Sequence, residues 1–142
     1  MKTKTIEQTI MFKATQQEIY EILMDSRKHS AATGMKAKIS REIGGKLSAG
    51  GGYISGENVK LVQDKKIVQK WRGDDWPEGH FSLATFEFGK TKGGTKITLT
   101  QKDVPAEQYD NVSEGWYEFY WNPIGKWLGR GAKKNKASKE KA

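Results

Sequence analysis

The chain has 142 residues, enough for one ordinary domain that buries about two-thirds of its unfolded surface around a single core. It contains no cysteine, which excludes disulfides and thiolate metal sites and fits a reducing compartment. The net charge is +8, and from Arg130 onward six basic residues stand against one acidic, so the body of the chain is only mildly basic. Residues 132–142 carry no side chain more apolar than alanine and cannot bury enough surface to order themselves. They read as a basic, solvated tail behind a single domain at 1–131, a reading preferred to attraction toward an acidic partner or nucleic acid. No apolar run is long enough for a signal peptide or a membrane span, so a cytoplasmic location is the default and no membrane partner is expected.

Ile6, Ile10 and Phe12 alternate with Thr5, Glu7, Thr9 and Met11, a period of two that predicts a strand. Gln8 interrupts its apolar face; if buried it needs a partner or water, which makes it a candidate for a wet cavity. Thr15 to Glu18 forms a capping box, and Ile19, Ile22 and Leu23 follow at helical spacing, predicting a short helix that ends near Asp25. Ser26 to Thr33 is expected to add one more turn. Gly44-Gly45 and Gly50-Gly51-Gly52 read as turns between short strands, because neither phosphate-loop spacing, G-x-G-x-x-G or G-x-x-x-x-G-K-[ST], is present. Val59 to Gln63 and Lys66 to Arg72 bracket Asp64-Lys65 as a hairpin, with Ile67 and Trp71 on one face. Phe81 to Phe88 is apolar on both faces and is expected in the middle of the sheet. Thr95, Ile97, Leu99 and Gln101 then alternate with Lys96, Thr98, Thr100 and Lys102, a strand with one solvated face.

Val104-Pro105 ends the sheet. Tyr109, Val112, Trp116, Phe119 and Trp127 recur at helical steps. They predict a long C-terminal helix, weakened at Gly115 by about 1 kcal/mol and kinked at Pro123. The order is that of an α+β domain in which a curved antiparallel sheet wraps around the last helix. Tyr117, Tyr120 and Trp121 lie on different sides of that helix, so some of them are expected to line a pocket or an interaction surface.

Signals for catalysis are weak. His29 and His80 are the only histidines, and His80, beside a turn, reads as a surface or hydrogen-bonding residue rather than a base. Asp74 and Asp75 are adjacent, and Glu114 and Glu118 sit one helical turn apart as solvated like charges. No metal site and no cofactor are expected, and the chain reads as a binding domain rather than an enzyme.

Several segments resemble a known family. Gly56-Glu57-Asn58, Lys66 to Arg72, the run Asp75-Trp76-Pro77-Glu78-Gly79-His80-Phe81, Val104-Pro105 and Glu114-Gly115-Trp116 are similar to the C-terminal domain of the activator of the 90-kDa heat shock protein ATPase. The likeness runs in order from about Ile6 to Gly131. It implies the START-like helix-grip fold and two uses. One is docking on a 90-kDa heat shock chaperone, with Trp76, Glu78 and His80 as candidate partner-surface residues. Stimulation of the ATPase is not implied with it, because the chain has no counterpart of the N-terminal domain to which the resemblance assigns the main activating contacts. The other is carriage of a small apolar ligand between sheet and helix, in a cavity whose candidate lining is Gln8, Ile10, Phe12, Trp71, Phe81, Leu99, Trp116 and Tyr120.

Overall fold

In the computed structural model, which describes residues 1–129, the period-two segments become one sheet with a buried and a solvated face. The expected tail, residues 132–142, lies outside the described residues. The strands are β1 (Thr3–Phe12), β2 (Lys38–Ile39), β3 (Lys46–Ala49), β4 (Ile54–Val62), β5 (Lys66–Gly73), β6 (Ser82–Thr91) and β7 (Gly94–Pro105). They pair antiparallel throughout in the order β1-β7-β6-β5-β4-β3-β2, with β1 returning to lie beside β7. Register shifts at Lys4/Ile6 and Asn58/Lys60 add the local twist that bends a sheet around its contents.

The buried face collects Ile6, Gln8, Ile10 and Phe12 from β1, Thr95, Ile97, Leu99 and Gln101 from β7, Ser82, Ala84, Phe86 and Phe88 from β6, and Ile67, Gln69 and Trp71 from β5. Strand β6 has neighbours on both sides, as expected. It is not apolar on both faces, however: Leu83 and Glu87 are exposed on its outer side. The same alternation corrects Phe81. It shares the outward phase of Leu83, is 40% exposed, and lies under the Arg72 guanidinium at 5.9 Å from the ring centroid instead of facing the helix.

Two helices close one end of the sheet. Helix α1 (Gln16–Met24) starts at the expected box: Glu18 N–H donates to Thr15 Oγ1 at 3.1 Å, and Thr15 N–H donates to Glu18 Oε1 at 2.7 Å. Asp25 ends α1 and opens α2 (Ser26–Thr33), accepting Lys28 N–H on Oδ1 at 2.9 Å. The segment expected to form one turn is thus an eight-residue helix, because Asp25 serves both boundaries, its backbone N–H donating to Glu21 O at the end of α1 and its side chain capping α2.

The C-terminal helix is built in three pieces: α3 (Tyr109–Gly115), a π-helical turn (Trp116–Trp121) and α4 (Asn122–Gly129). Asn122 N–H reaches back five residues to Tyr117 O, so the wide turn stands where Pro123 predicts a kink. One extra residue in a turn advances the helical phase by about 100°. Trp116 keeps its buried position, and Tyr120, Trp121 and Ile124 are then buried where the stripe had placed Phe119, with Trp127 half-buried against the core. Phe119 is 46% exposed, which corrects the expected stripe.

Two buried glutamines hold this helix to the sheet. Trp121 Nε1–H donates to Gln8 Oε1 at 2.9 Å, and Gln8 Nε2 donates to Ser113 O at 2.8 Å and Ser113 Oγ at 3.2 Å. Gln8 is therefore satisfied by the helix, not by a wet cavity. Trp116 Nε1–H donates to Gln101 Oε1 at 2.8 Å, Gln101 Nε2 donates to Ser82 Oγ at 2.9 Å, and Ser82 Oγ donates to Trp71 O at 2.7 Å. Gln101 is fully buried. Gln101→Met strands the Trp116 indole N–H in the core, and urea unfolding is expected to show a loss of about 2 kcal/mol. A cycle of Gln101→Met with Trp116→Phe should return a coupling of about 1–2 kcal/mol; strictly additive costs would contradict the pairing.

Candidate functional site

Where the helix diverges from the β4–β5 side of the sheet, an apolar cleft of about 100 Å³ remains. Buried Trp71, Trp116 and Tyr120 form its inner end; Tyr53 and Ile54 come from the sheet side and Asn111, Val112, Gly115 and Phe119 from the helix. Tyr53 and Phe119, 39% and 46% exposed, stand at its mouth. Gly115 supplies the gap in the helix wall: a Cβ there would meet the Phe119 ring at 3.7 Å. Tyr53 Oη donates to Asp75 Oδ1 at 2.6 Å. Burial, with the Asp75 carboxylate beside it, pushes the phenol up to about 12.

The loop after β5 folds back on this cleft. Arg72 Nη2 donates to Trp76 O at 2.7 Å and Pro77 O at 3.3 Å, and Arg72 Nε donates to His80 O at 3.3 Å. Trp76, a candidate for a partner surface, is consequently only 4% exposed and packs tilted against Trp71 with ring centroids 5.6 Å apart. Its position is held by Gly73, where any Cβ would collide with Tyr53 and the Trp76 indole nitrogen. Glu78 is exposed, and partly buried His80 has Nε2 2.8 Å from Asp103 O.

Of the expected pocket residues, Trp71, Trp116 and Tyr120 meet at the cleft. Gln8, Ile10, Phe12 and Leu99 do not; they are packed in the core, where Trp121 fills the space between helix and β1, with Phe12 6.2 Å from its ring. Tyr53, Ile54, Asn111, Val112, Gly115 and Phe119 are the residues the sequence reading did not place there. Gly115 was the available signal, since a glycine inside a helix removes a side chain from one wall.

A second, smaller cavity of about 10 Å³ lies behind Tyr120, lined also by His29, Gln69 and apolar side chains from α1, β2, β3, β5 and β6. His29 is 3% exposed and packs edge-on against Tyr120 at 5.2 Å. Burial pushes its pKa below the usual histidine range, opposed in part by the backbone of Leu23 and Ile22, which lies against the ring without completing a hydrogen bond to it. Burial likewise raises the Tyr120 phenol above its ordinary range.

Among the described residues no group of three or more histidines and carboxylates is placed to hold a metal ion. No described helix is long and apolar enough to cross a membrane.

These features define a START-like helix-grip domain: a curved antiparallel sheet, a long C-terminal helix, and an apolar cleft between them. The chain belongs to the family described as activator of Hsp90 ATPase homolog 1-like protein, which matches residues 13–129. It is 33% identical over 129 residues to the human activator of 90 kDa heat shock protein ATPase homolog 1, a match covering 91% of this chain and 38% of that protein. To the Hsp90 co-chaperone AHA1 of Saccharomyces cerevisiae it is 27% identical over 127 residues, covering 85% of this chain and 36% of the yeast protein. The chain thus spans less than two-fifths of the length of these curated relatives. Among solved structures, an HSP90 activator from Plasmodium falciparum superposes with a TM-score of 0.83 at 28% identity, covering 88% of this chain and 96% of that one. The Aha1 dimer from Colwellia psychrerythraea shares the fold, with a TM-score of 0.71 at 17% identity over 84% of this chain and 92% of that one.

The buried imidazole makes stability depend on pH. Its folded pKa is depressed, so the neutral form is favoured and the unfolded chain binds the extra proton first. Stability is full above the unfolded histidine value of about 6.5 and falls as pH drops from there toward the depressed folded value, by up to about 1.4 kcal/mol per pH unit. His29→Leu is expected to flatten that limb of a stability–pH profile measured by urea unfolding. A profile unchanged by the substitution would contradict this role.

Proposed function

We propose that this chain is a non-catalytic docking domain that binds a 90-kDa heat shock chaperone. The observation that carries the reading is the family match over residues 13–129, supported by the close superposition on an HSP90 activator. The surface at the cleft suits docking, because Tyr53 and Phe119 leave aromatic area in solvent and exposed aromatics beside a pocket are typical anchors at protein interfaces. Exposed Asp74 and Asp75 are bonded to Tyr53, and exposed Glu114 and Glu118 adjoin Gly115 and Phe119 in sequence. The partner segment seated there would therefore bring basic groups, although the net charge of this chain by itself favours an acidic partner.

Titration of the purified chain against the 90-kDa chaperone by calorimetry, at low and moderate salt, is expected to show binding that weakens with salt. Phe119→Ser should weaken it by about tenfold without shifting the urea midpoint, since an exposed lip residue contributes to contact more than to folding. Absence of binding at both salts would contradict the reading. Stimulation of the chaperone ATPase is a separate measurement, and binding without stimulation is compatible with a domain that docks.

A second reading is favoured by the cleft itself: carriage of a small apolar molecule. An apolar cavity of about 150 Å³ is known to take up benzene, and this half-open cleft is of that order. Benzene is expected to perturb the NMR signals of Trp71 and Trp116. Gly115→Ala should stabilise the helix by up to about 1 kcal/mol and, by narrowing the cleft, weaken the perturbation. Spectra of the unsubstituted protein that ignore benzene would contradict this reading.

A further inference from the structure

His29 is nearly fully buried, yet neither ring nitrogen completes a hydrogen bond. A stranded donor and acceptor in a core calls for an explanation, and an unfilled site is one. The ring borders the cavity of about 10 Å³, which is about the room one oxygen-sized centre needs. Gln69 borders it too; its Nε2 donates to Asn58 Oδ1 at 3.1 Å, which leaves Oε1 as an acceptor. Among the described residues no charged side chain lines this cavity. Among the same residues Tyr120 alone lines both it and the apolar cleft, its ring wedged between His29 at 5.2 Å and Trp116 at 4.7 Å.

We propose that the two cavities are the two ends of one site for a neutral apolar molecule bearing a terminal hydroxyl, joined when the Tyr120 side chain swings aside. The apolar body occupies the cleft and the hydroxyl sits beside His29 and Gln69. A neutral imidazole presents one donor and one acceptor on diverging sides of its ring, and a hydroxyl can serve whichever nitrogen faces the cavity, accepting from the N–H while it donates to Gln69 Oε1, or donating to the bare nitrogen. A carboxylate would meet the Gln69 carbonyl with no cation to compensate it, and an ammonium would be buried without a counter-charge; both are disfavoured in a cavity lined only by uncharged groups. The proposal rests on the reading of the cleft as a ligand site and adds the head-group chemistry.

Benzyl alcohol and toluene form the test pair, alike in body and differing in the hydroxyl. Both are expected to shift the indole NMR signals of Trp71 and Trp116 on titration. Only benzyl alcohol should shift the His29 imidazole signals, a readout that needs no variant. His29→Leu should weaken benzyl alcohol by about tenfold and leave toluene affinity within a factor of about three. Benzyl alcohol binding that leaves the His29 signals unmoved, or equal losses for both probes in His29→Leu, would overturn the head-group assignment and leave the cleft reading standing. Binding of neither probe would overturn both.

Discussion

The structure depends on two indole-to-glutamine hydrogen bonds that lock the C-terminal helix to adjacent strands. Gln8 on β1 receives Trp121, and Gln101 on β7 receives Trp116. The two indoles stack at 5.6 Å with 17° between their planes, so both N–H groups are presented to the sheet side by side. Apolar packing alone leaves a helix free to slide or roll over a sheet at modest cost. Directional bonds inside a dry core do not, since a shift of one turn would strand two indoles and two amides together. The wide turn at Trp116–Trp121 is what allows residues five apart to share this face.

That arrangement determines where space is left. With Trp121 and Ile124 fully buried, and Trp121 bonded to Gln8 and packed against Phe12 of β1, the β1 side of the core is filled. The helix closes less tightly toward β4 and β5, where Gly115 contributes no side chain and Phe119 has been turned outward by the phase shift. The cleft, its aromatic mouth and the exposure of Phe119 are therefore consequences of one irregular turn. Tyr120, beside Trp121 in the same turn, becomes the partition between the cleft and the buried histidine. Widened helical turns are frequent at functional sites, and here the turn carries the site directly.

The strands, the capping box at Thr15 and the antiparallel sheet around a final helix were legible because each follows from period or from a local hydrogen-bond motif. Gln101 was legible as inward-facing from the alternation of β7 alone. Its partner was not, because the pairing depends on the helix phase, and a stripe read at 3.6 residues per turn places Phe119 where Tyr120 and Trp121 belong. Gln8 was recognised as a polar break in an apolar face, but whether water or an indole answered it is a tertiary fact. Strand β2, two residues long, is too short for periodicity to register. Phe81 and Trp76 were misplaced for opposite reasons: alternation in β6 turns Phe81 outward, and the side-chain clamp from Arg72 folds Trp76 inward. The family resemblance drew on the Trp76 to Phe81 run, and its tryptophan has a structural role, since it packs in the core against Trp71 beneath the cleft.

Hydrogen exchange of the tryptophan indole N–H groups, followed by NMR on the 15N-labelled protein, tests the central claim most directly. If the two glutamines lock the helix, the Nε1–H groups of Trp116 and Trp121 exchange only when the whole domain unfolds, with the free energy that urea unfolding reports for the same protein. Exchange of both indoles through a local opening well below that free energy would show that the helix moves independently of the sheet and would contradict the account.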